Sequence, residues 1–415
     1  IALVERALSL SESPGAIAEG LWRLGTAFLV RNDLDRAAGM YREALASAEA
    51  AGDDLLMGLC LGNYGMVSFR RWHLDDAIEQ TRQARSLYER IGHRTRLLEM
   101  THNLGAFLQY RGDPAAARPL LEESLQSARG DWILVTSSRE ILADIARLEG
   151  REVQAQVHLA SAAQLAEKVG VASRQAFFLG LLAESYWATG DVEDAISALE
   201  RGARAARGLT LSHALVLLHL GSVEDATEWL ERFAGAEPDP QRRAAARLAL
   251  ARAHWWSGGI GQAHQLCTDL RRFLAPTPAP RFMIPVMLLE SCLKGDSARA
   301  VALLEDAARR CAPYERAELA LDVAILLAQS SADPAAVRRF LDLSGDVRHR
   351  GILYRVEALR AELFASLDRN EEARASLARA RQELDWLSSS LSGEYLERLQ
   401  ESPWVGALGR LRSVP

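Results

Sequence analysis

A small residue returns at a near-constant spacing along this chain, and few folds can be built that way. Leu21-x-x-Leu24-Gly25-x-x-Phe28 is followed by Ala37, Tyr41 and Ala44, and 40 residues later Leu61, Tyr64, Gly65, Ala77 and Ala84 restate the frame. Leu104, Gly105, Leu108, Ala117 and Leu121 give it a third time. A period of roughly 20–50 residues marks a stack of one supersecondary unit, in which each copy buries its apolar face against the next. Ala and Leu fill the stretches between the markers and aromatics make up only 7% of the chain, which favours a helical unit and argues against a β-sandwich. Each period then reads as two antiparallel helices. A Gly or Ala in the first and an Ala early in the second let the backbones approach, while larger residues at helical spacing fill the seam.

Following the second-helix alanine onward gives Ala155, Ala195, Ala226, Ala263, Ala300, Ala336 (or Val337) and Ala373, at steps of 38, 40, 31, 37, 37, 36 and 37. That register predicts about ten hairpins over nearly the whole chain. Asn32-Asp33, Gly112-Asp113, Gly190-Asp191, Gly221-Ser222, Gly258-Gly259 and Gly295-Asp296 punctuate it, with Gly or Asn ending one helix and Asp or Ser capping the next. The sixth hairpin is short and two Pro-bearing linkers follow, 237–240 and 276–280, where a change of superhelical pitch is expected. We therefore expect an N-terminal lobe of clear repeats at 1–205, a lobe of degenerate repeats at 206–391, and capping helices at 392–415 split by Pro403. Leu3 to Leu10 read as the end of a helix, so at least one further repeat is expected before Ile1.

The frame resembles the tetratricopeptide repeat, whose consensus W-x2-L-G-x2-Y … A-x3-F-x2-A places small residues where paired helices touch. The period is longer than the common form and the Pro ending the second helix is missing, so the resemblance is to the longer-repeat bacterial type. It implies an all-α fold, a right-handed α-solenoid superhelix of antiparallel hairpins. It also implies a non-catalytic scaffold or sensor module that holds a protein or peptide in its concave groove, with self-association as a second mode. The chain is similar in repeat length to the sensor and interaction regions of maltose-regulator-like and related multidomain signalling proteins. By that likeness it serves signal transduction or transcription regulation through an effector domain not seen here. The alternative reading is a sensor of a sugar-like small molecule that controls oligomerisation of a regulator.

Composition and missing motifs narrow the function. A formal charge of -6 gives no general attraction to phosphate backbones, so direct nucleic-acid binding is not expected. No run of about 18 apolar residues is present, so no membrane-spanning helix is expected. The four cysteines, Cys60, Cys267, Cys292 and Cys311, form no C-x-x-C pair, which fits core positions and a reducing cytoplasm. Lys168 and Lys294 are the sole lysines, a bias that points to a GC-rich bacterial genome. Phosphate-binding loops, H-E-x-x-H, EF-hand loops and G-x-S-x-G elbows are all missing, so neither a catalytic residue nor a cofactor is expected. His93 and His102, nine apart, and His213 and His219, six apart, lack the spacing that sets two ligands on one helix face, so no metal is expected. His349, between Arg348 and Arg350, reads as solvated.

In such a superhelix the first helix of each hairpin faces the groove. Taking the Gly or Ala as the eighth position, the inward candidates for ligand binding are Asn63, Met66, Phe69, Arg70, His102, Asn103, Gln109, Tyr110, Asp144, Arg147, Glu184, Trp187, Arg252 and Trp255. Asn63 and Asn103 occupy one place in successive repeats, where an amide can both donate to and accept from an extended peptide backbone. They read equally as braces between helices. Trp187 and Trp255 could stack on a ligand, although packing is the plainer role for a large aromatic at a helix end. Asp144 and Glu140, one and two turns before Arg147, would pair with it along the helix.

Overall fold

The computed structural model describes residues 13–410 apart from 129, 207, 209, 238 and 330–332, so the helix end expected at Leu3 to Leu10 lies outside the described residues. Among the described residues there are 22 α-helices and no strand. The first six are α1 (Pro14–Val30), α2 (Leu34–Ala51), α3 (Asp54–Arg70), α4 (Leu74–Arg90), α5 (Arg94–Arg111) and α6 (Pro114–Ser127). There follow α7 (Trp132–Leu148), α8 (Glu152–Lys168), α9 (Ala172–Thr189), α10 (Val192–Ala206), α11 (Leu211–Leu220) and α12 (Val223–Ala236). Next come α13 (Pro240–Trp256), α14 (Ile260–Leu274), α15 (Pro280–Leu293), α16 (Ser297–Arg310), α17 (Pro313–Gln329) and α18 (Pro334–Leu343). The last are α19 (Arg350–Ser366), α20 (Asn370–Ser390), α21 (Gly393–Glu401) and α22 (Pro403–Arg410). Taken two by two, α1 to α20 are ten hairpins, and the chain is an all-α solenoid.

The small-residue register has a direct steric cause. A Cβ built on Gly25 would sit 2.8 Å from the Tyr41 ring, one on Gly65 2.9 Å from Thr81 Oγ1, and one on Gly105 2.8 Å from Leu121 Cγ. Ala37, Ala77 and Ala117, the partners in each second helix, are fully buried. At the turns, Asn32 (φ 58°) and Gly112 (φ 100°) take the left-handed conformation that ends a helix. The Asp33, Asp113 and Asp296 carboxylates accept the N–H groups of Arg36, Ala116 and Arg299 to start the next.

Two compact units make up the chain, and their boundaries run through helices. The first comprises the described residues to Leu142 with Glu237–Arg242 and Phe273–Ala279, so it takes in the second Pro-bearing linker as far as Ala279. Trp72, left-handed at φ 63° without being glycine, holds the second linker. Its Nε1 donates to the Thr277 carbonyl at 2.9 Å, its ring packs against Phe273, and Thr277 Oγ1 accepts the Leu74 N–H at 2.9 Å. The indole is fully buried, which offsets the roughly 1–2 kcal/mol that a left-handed residue bearing a Cβ costs.

The second unit comprises Ala143–Ala236, Arg243–Arg272 and the chain from Pro280. Here first helices from distant hairpins meet. Trp187 of α9 shares a core with Tyr354 of α19, and a Cβ at Gly351 would collide with its indole. The C-terminal pair breaks at Ser402, and each helix has its own seat. Leu399 of α21 joins Leu199, Val216 and Leu220, while Leu408 of α22 joins Ala361, Leu377 and Ala380.

Candidate functional site

In the first unit, the inward residues of α1, α3 and α5 link one hairpin to the next. Asn63 Nδ2 donates to Thr26 Oγ1 at 3.2 Å, and the same hydroxyl accepts from Tyr41 Oη. Arg70 Nη1 donates to the Leu29 carbonyl at 2.9 Å, and burial lowers its pKa. Phe69 stacks on Phe107 (centroids 4.9 Å apart) and on Tyr110 (5.4 Å). His102 Nδ1 lies 3.0 Å from Ser138 Oγ. Gln109 and Tyr110 are buried, and Met66 packs on the core around Leu24 and Phe28. Asn103 differs. It is half-buried like Asn63, one period further on, yet its amide makes no side-chain hydrogen bond among the described residues. Tyr64, half-buried on the helix that carries Asn63, also leaves its hydroxyl unbonded among the described residues.

In the second unit the predicted inward residues are consumed by internal pairing. Asp144 acts on Arg147 through its charge, while its oxygens receive both Arg281 Nη atoms, at 2.6 and 2.7 Å, and Arg281 also reaches Glu315 at 2.8 Å. Arg147 instead donates to the Leu181 carbonyl at 2.7 Å, lies over the Tyr314 ring and sits 3.8 Å from Glu152. Glu184, whose pKa burial raises, accepts from Ser212 Oγ at 2.5 Å. Trp187 is 1% exposed, which withdraws it from any ligand in this conformation. Trp255 packs against the core formed by α15 to α19.

The densest polar group lies deeper in the same unit. Arg252 donates from Nη1 to Glu318 (2.7 Å) and from Nε to Asp322 (2.8 Å). His219 Nε2 lies 3.3 Å from the other Glu318 oxygen, and the His219 and His349 rings meet edge to face at 5.1 Å. His349 is only 2% exposed, which corrects the expectation of a solvated side chain: it stands before α19, turned into the unit while the exposed Arg348 faces solvent. Burial lowers its pKa to about 3 and so keeps it neutral. Burial also disfavours a charged Glu318, yet the Arg252 charge and the His219 hydrogen bond hold its carboxyl far below the usual range. Asp322 goes the other way, up to about 6, because burial outweighs Arg252 and the nearby Glu318 charge adds to it. Arg355, fully enclosed between the Trp256 and Trp404 rings at 4.7 and 4.0 Å, completes the group. Beside it a small open pocket, about large enough for one water, is lined by Leu215, Leu218, His219, Ala249, Arg252, Trp256, Glu318 and Leu321. Arg281, Glu315, Glu318, Asp322 and Arg355 escaped sequence reasoning because their partners lie on other hairpins, where no spacing rule looks.

No family model matches the chain, and no curated protein matches it. Among solved structures, it is similar to BtubC from P. vanneervenii, with 21% identity and a TM-score of 0.44 over 49% of this chain and 87% of that one. It is also similar to a Rap protein in complex with Competence and Sporulation Factor, with 14% identity and a TM-score of 0.45 over 92% of this chain and 89% of that one.

Proposed function

We propose that this chain is a non-catalytic helical-repeat scaffold that captures an extended peptide, or an extended segment of a protein, along α3 and α5 of its first unit. The observation that carries the reading is the contrast between the two asparagines. Asn63 and Asn103 hold one repeat position, but Thr26 accepts an N–H of the first while the second makes no side-chain hydrogen bond among the described residues. A half-buried amide in that state gains when a peptide N–H and C=O arrive, each bond contributing on the order of 1 kcal/mol. The unbonded Tyr64 hydroxyl is a second polar contact on the adjacent first helix. In the second unit the equivalent side chains already bond to one another, which supports placing capture in the first.

The test is a selection of random linear peptides on the whole chain, followed by fluorescence anisotropy of the winners. Asn103→Ala should weaken the selected peptides by roughly five- to tenfold with no change in Tm. Asn63→Ala should lower stability by about 1 kcal/mol through the lost Thr26 bond. Peptides that bind Asn103→Ala as tightly as the parent would place capture elsewhere and end this reading.

A further inference from the structure

We propose that His219, Glu318 and His349 form a binding site for a divalent transition-metal cation of the Zn²⁺ or Co²⁺ class. One donor atom from each of the three residues lies within 4.8 Å of the other two. A tetrahedral ion with bonds near 2.1 Å spaces its ligands roughly 3.4 Å apart, so closure needs a movement of about 1 Å, within reach of side-chain rotation. Both imidazoles are nine-tenths or more buried, and each has an Nδ1 with no hydrogen-bond partner among the described residues. Buried polar atoms in native proteins are ordinarily satisfied, so two neighbouring imidazoles that each keep an orphan Nδ1, one of them 3.3 Å from Glu318 through its Nε2, point to a missing partner that accepts lone pairs.

The arrangement behind the donors has the character of a metal site. Arg252 engages one Glu318 oxygen, which turns the other toward His219, and Asp322 in turn receives Arg252. A hydrogen bond behind a ligand fixes its orientation in this way. Asp322 also balances the charge of Arg252, so Glu318 can still offer a negative charge to the ion. Two imidazoles and one carboxylate favour Zn²⁺ or Co²⁺ over Mg²⁺ or Ca²⁺, which prefer all-oxygen sets. The adjoining cavity, lined in part by His219 and Glu318, leaves room for a water in the fourth position. The three donors come from α11, from α17 and from the residue preceding α19, so one ion would tie together hairpins far apart in the chain and make the second unit's stability metal-dependent. This site is independent of the peptide reading, which concerns α3 and α5.

The full chain, stripped with a chelator, is titrated with Zn²⁺ in a calorimeter and with Co²⁺ by visible absorption. One ion per chain is expected, with intense tetrahedral Co²⁺ bands and a Tm that rises by several degrees and falls again on chelation. His349→Gln and Glu318→Gln should each weaken binding by roughly 100-fold or more, and His73→Gln, at an exposed histidine, should not. No binding below about 1 mM, or equal affinity in His349→Gln, overturns the proposal. Should either variant fail to fold, X-ray absorption on the loaded parent decides. Two imidazole nitrogens and a carboxylate oxygen around the ion uphold the site, and a shell containing sulfur or lacking imidazole refutes it.

Discussion

Gly65→Leu probes the contact on which the repeat depends. Gly65 lies in α3 where that helix crosses α4, and an added Cβ would stand 2.9 Å from Thr81 Oγ1 and 3.4 Å from the Ala77 carbonyl oxygen. Thr81 is 1% exposed and the Ala77 carbonyl is helix backbone, so neither can yield without moving α4. Leucine carries three more carbons beyond that Cβ. Overpacking of this kind costs about 1–3 kcal/mol, and replacing a mid-helix glycine returns somewhat under 1 kcal/mol, so we expect a net loss of about 1–2 kcal/mol. Gly39→Ala is the matched control. Gly39 lies inside α2 with nothing within 4 Å of its hypothetical Cβ, so the same relief from glycine should stabilise by roughly 0.5–1 kcal/mol. The assay is urea unfolding followed by helical circular dichroism, combined with hydrogen exchange of the α3 and α4 amides. A stacked array opens in parts, so a single midpoint can hide a local loss. Exchange at the parent rate in Gly65→Leu, or a loss of stability in Gly39→Ala, would show that close approach at the small residues does not set the helix packing.

Arg281→Ala strips the shared cation from Asp144 and Glu315 and leaves two partly buried carboxylates near each other, for an expected loss of about 3 kcal/mol in chemical denaturation; a loss under 1 kcal/mol would contradict the pairing. His213, 5% exposed, has its pKa lowered by burial from 6.5 to about 4, and its Nδ1 lies 3.4 Å from the Thr210 N–H that it accepts. The unfolded chain therefore takes up this proton first, so its contribution is intact above pH 6.5 and is lost as pH falls towards 4, up to about 3 kcal/mol. In His213→Gln that acid limb of the stability curve should flatten, and an unchanged limb would refute the assignment. All four cysteines are buried, and burial pushes the thiols of Cys60, Cys267 and Cys311 up to about 12. An aromatic disulfide reagent at pH 8 should therefore find no reactive thiol in the native chain and four in urea.

The hairpins were legible because their defining contact is local. Gly25 meets Tyr41, Gly65 meets Thr81 and Gly105 meets Leu121, each between helices joined by one short turn, so the pattern is written along the chain itself. The turns were legible for the same reason: Asn32 and Gly112 stand where a left-handed residue is required. Side chains that reach the next hairpin were legible by position but not by partner. The sequence sets Asn63 and Asn103 in one register, yet only the fold gives Thr26 to the first. The interior of the second unit was not legible. Arg281 finds Asp144, and Arg355 approaches the Leu218 carbonyl, across separations that depend on how hairpins curve back on one another, which no periodicity records. Helical spacing cannot pair His219 with His349 for that reason, and the arginines flanking His349 point to solvent although its ring is buried.

These two kinds of interior imply different uses. A surface made to take up a peptide needs polar groups satisfied as well by the partner as by water, and Asn103 is such a group. The second unit is built the other way: Arg252 and Arg281 each bind two carboxylates, and Glu184 is held by Ser212. A peptide threading that interior would have to part buried ion pairs, each of which leaves an uncompensated charge behind. An entering group that meets no such barrier is one that fits donors left unpaired. The Nδ1 atoms of His219 and His349 are donors of that kind among the described residues, and in the proposed site a metal ion leaves in place the bonds that Arg252 makes to Glu318 and Asp322.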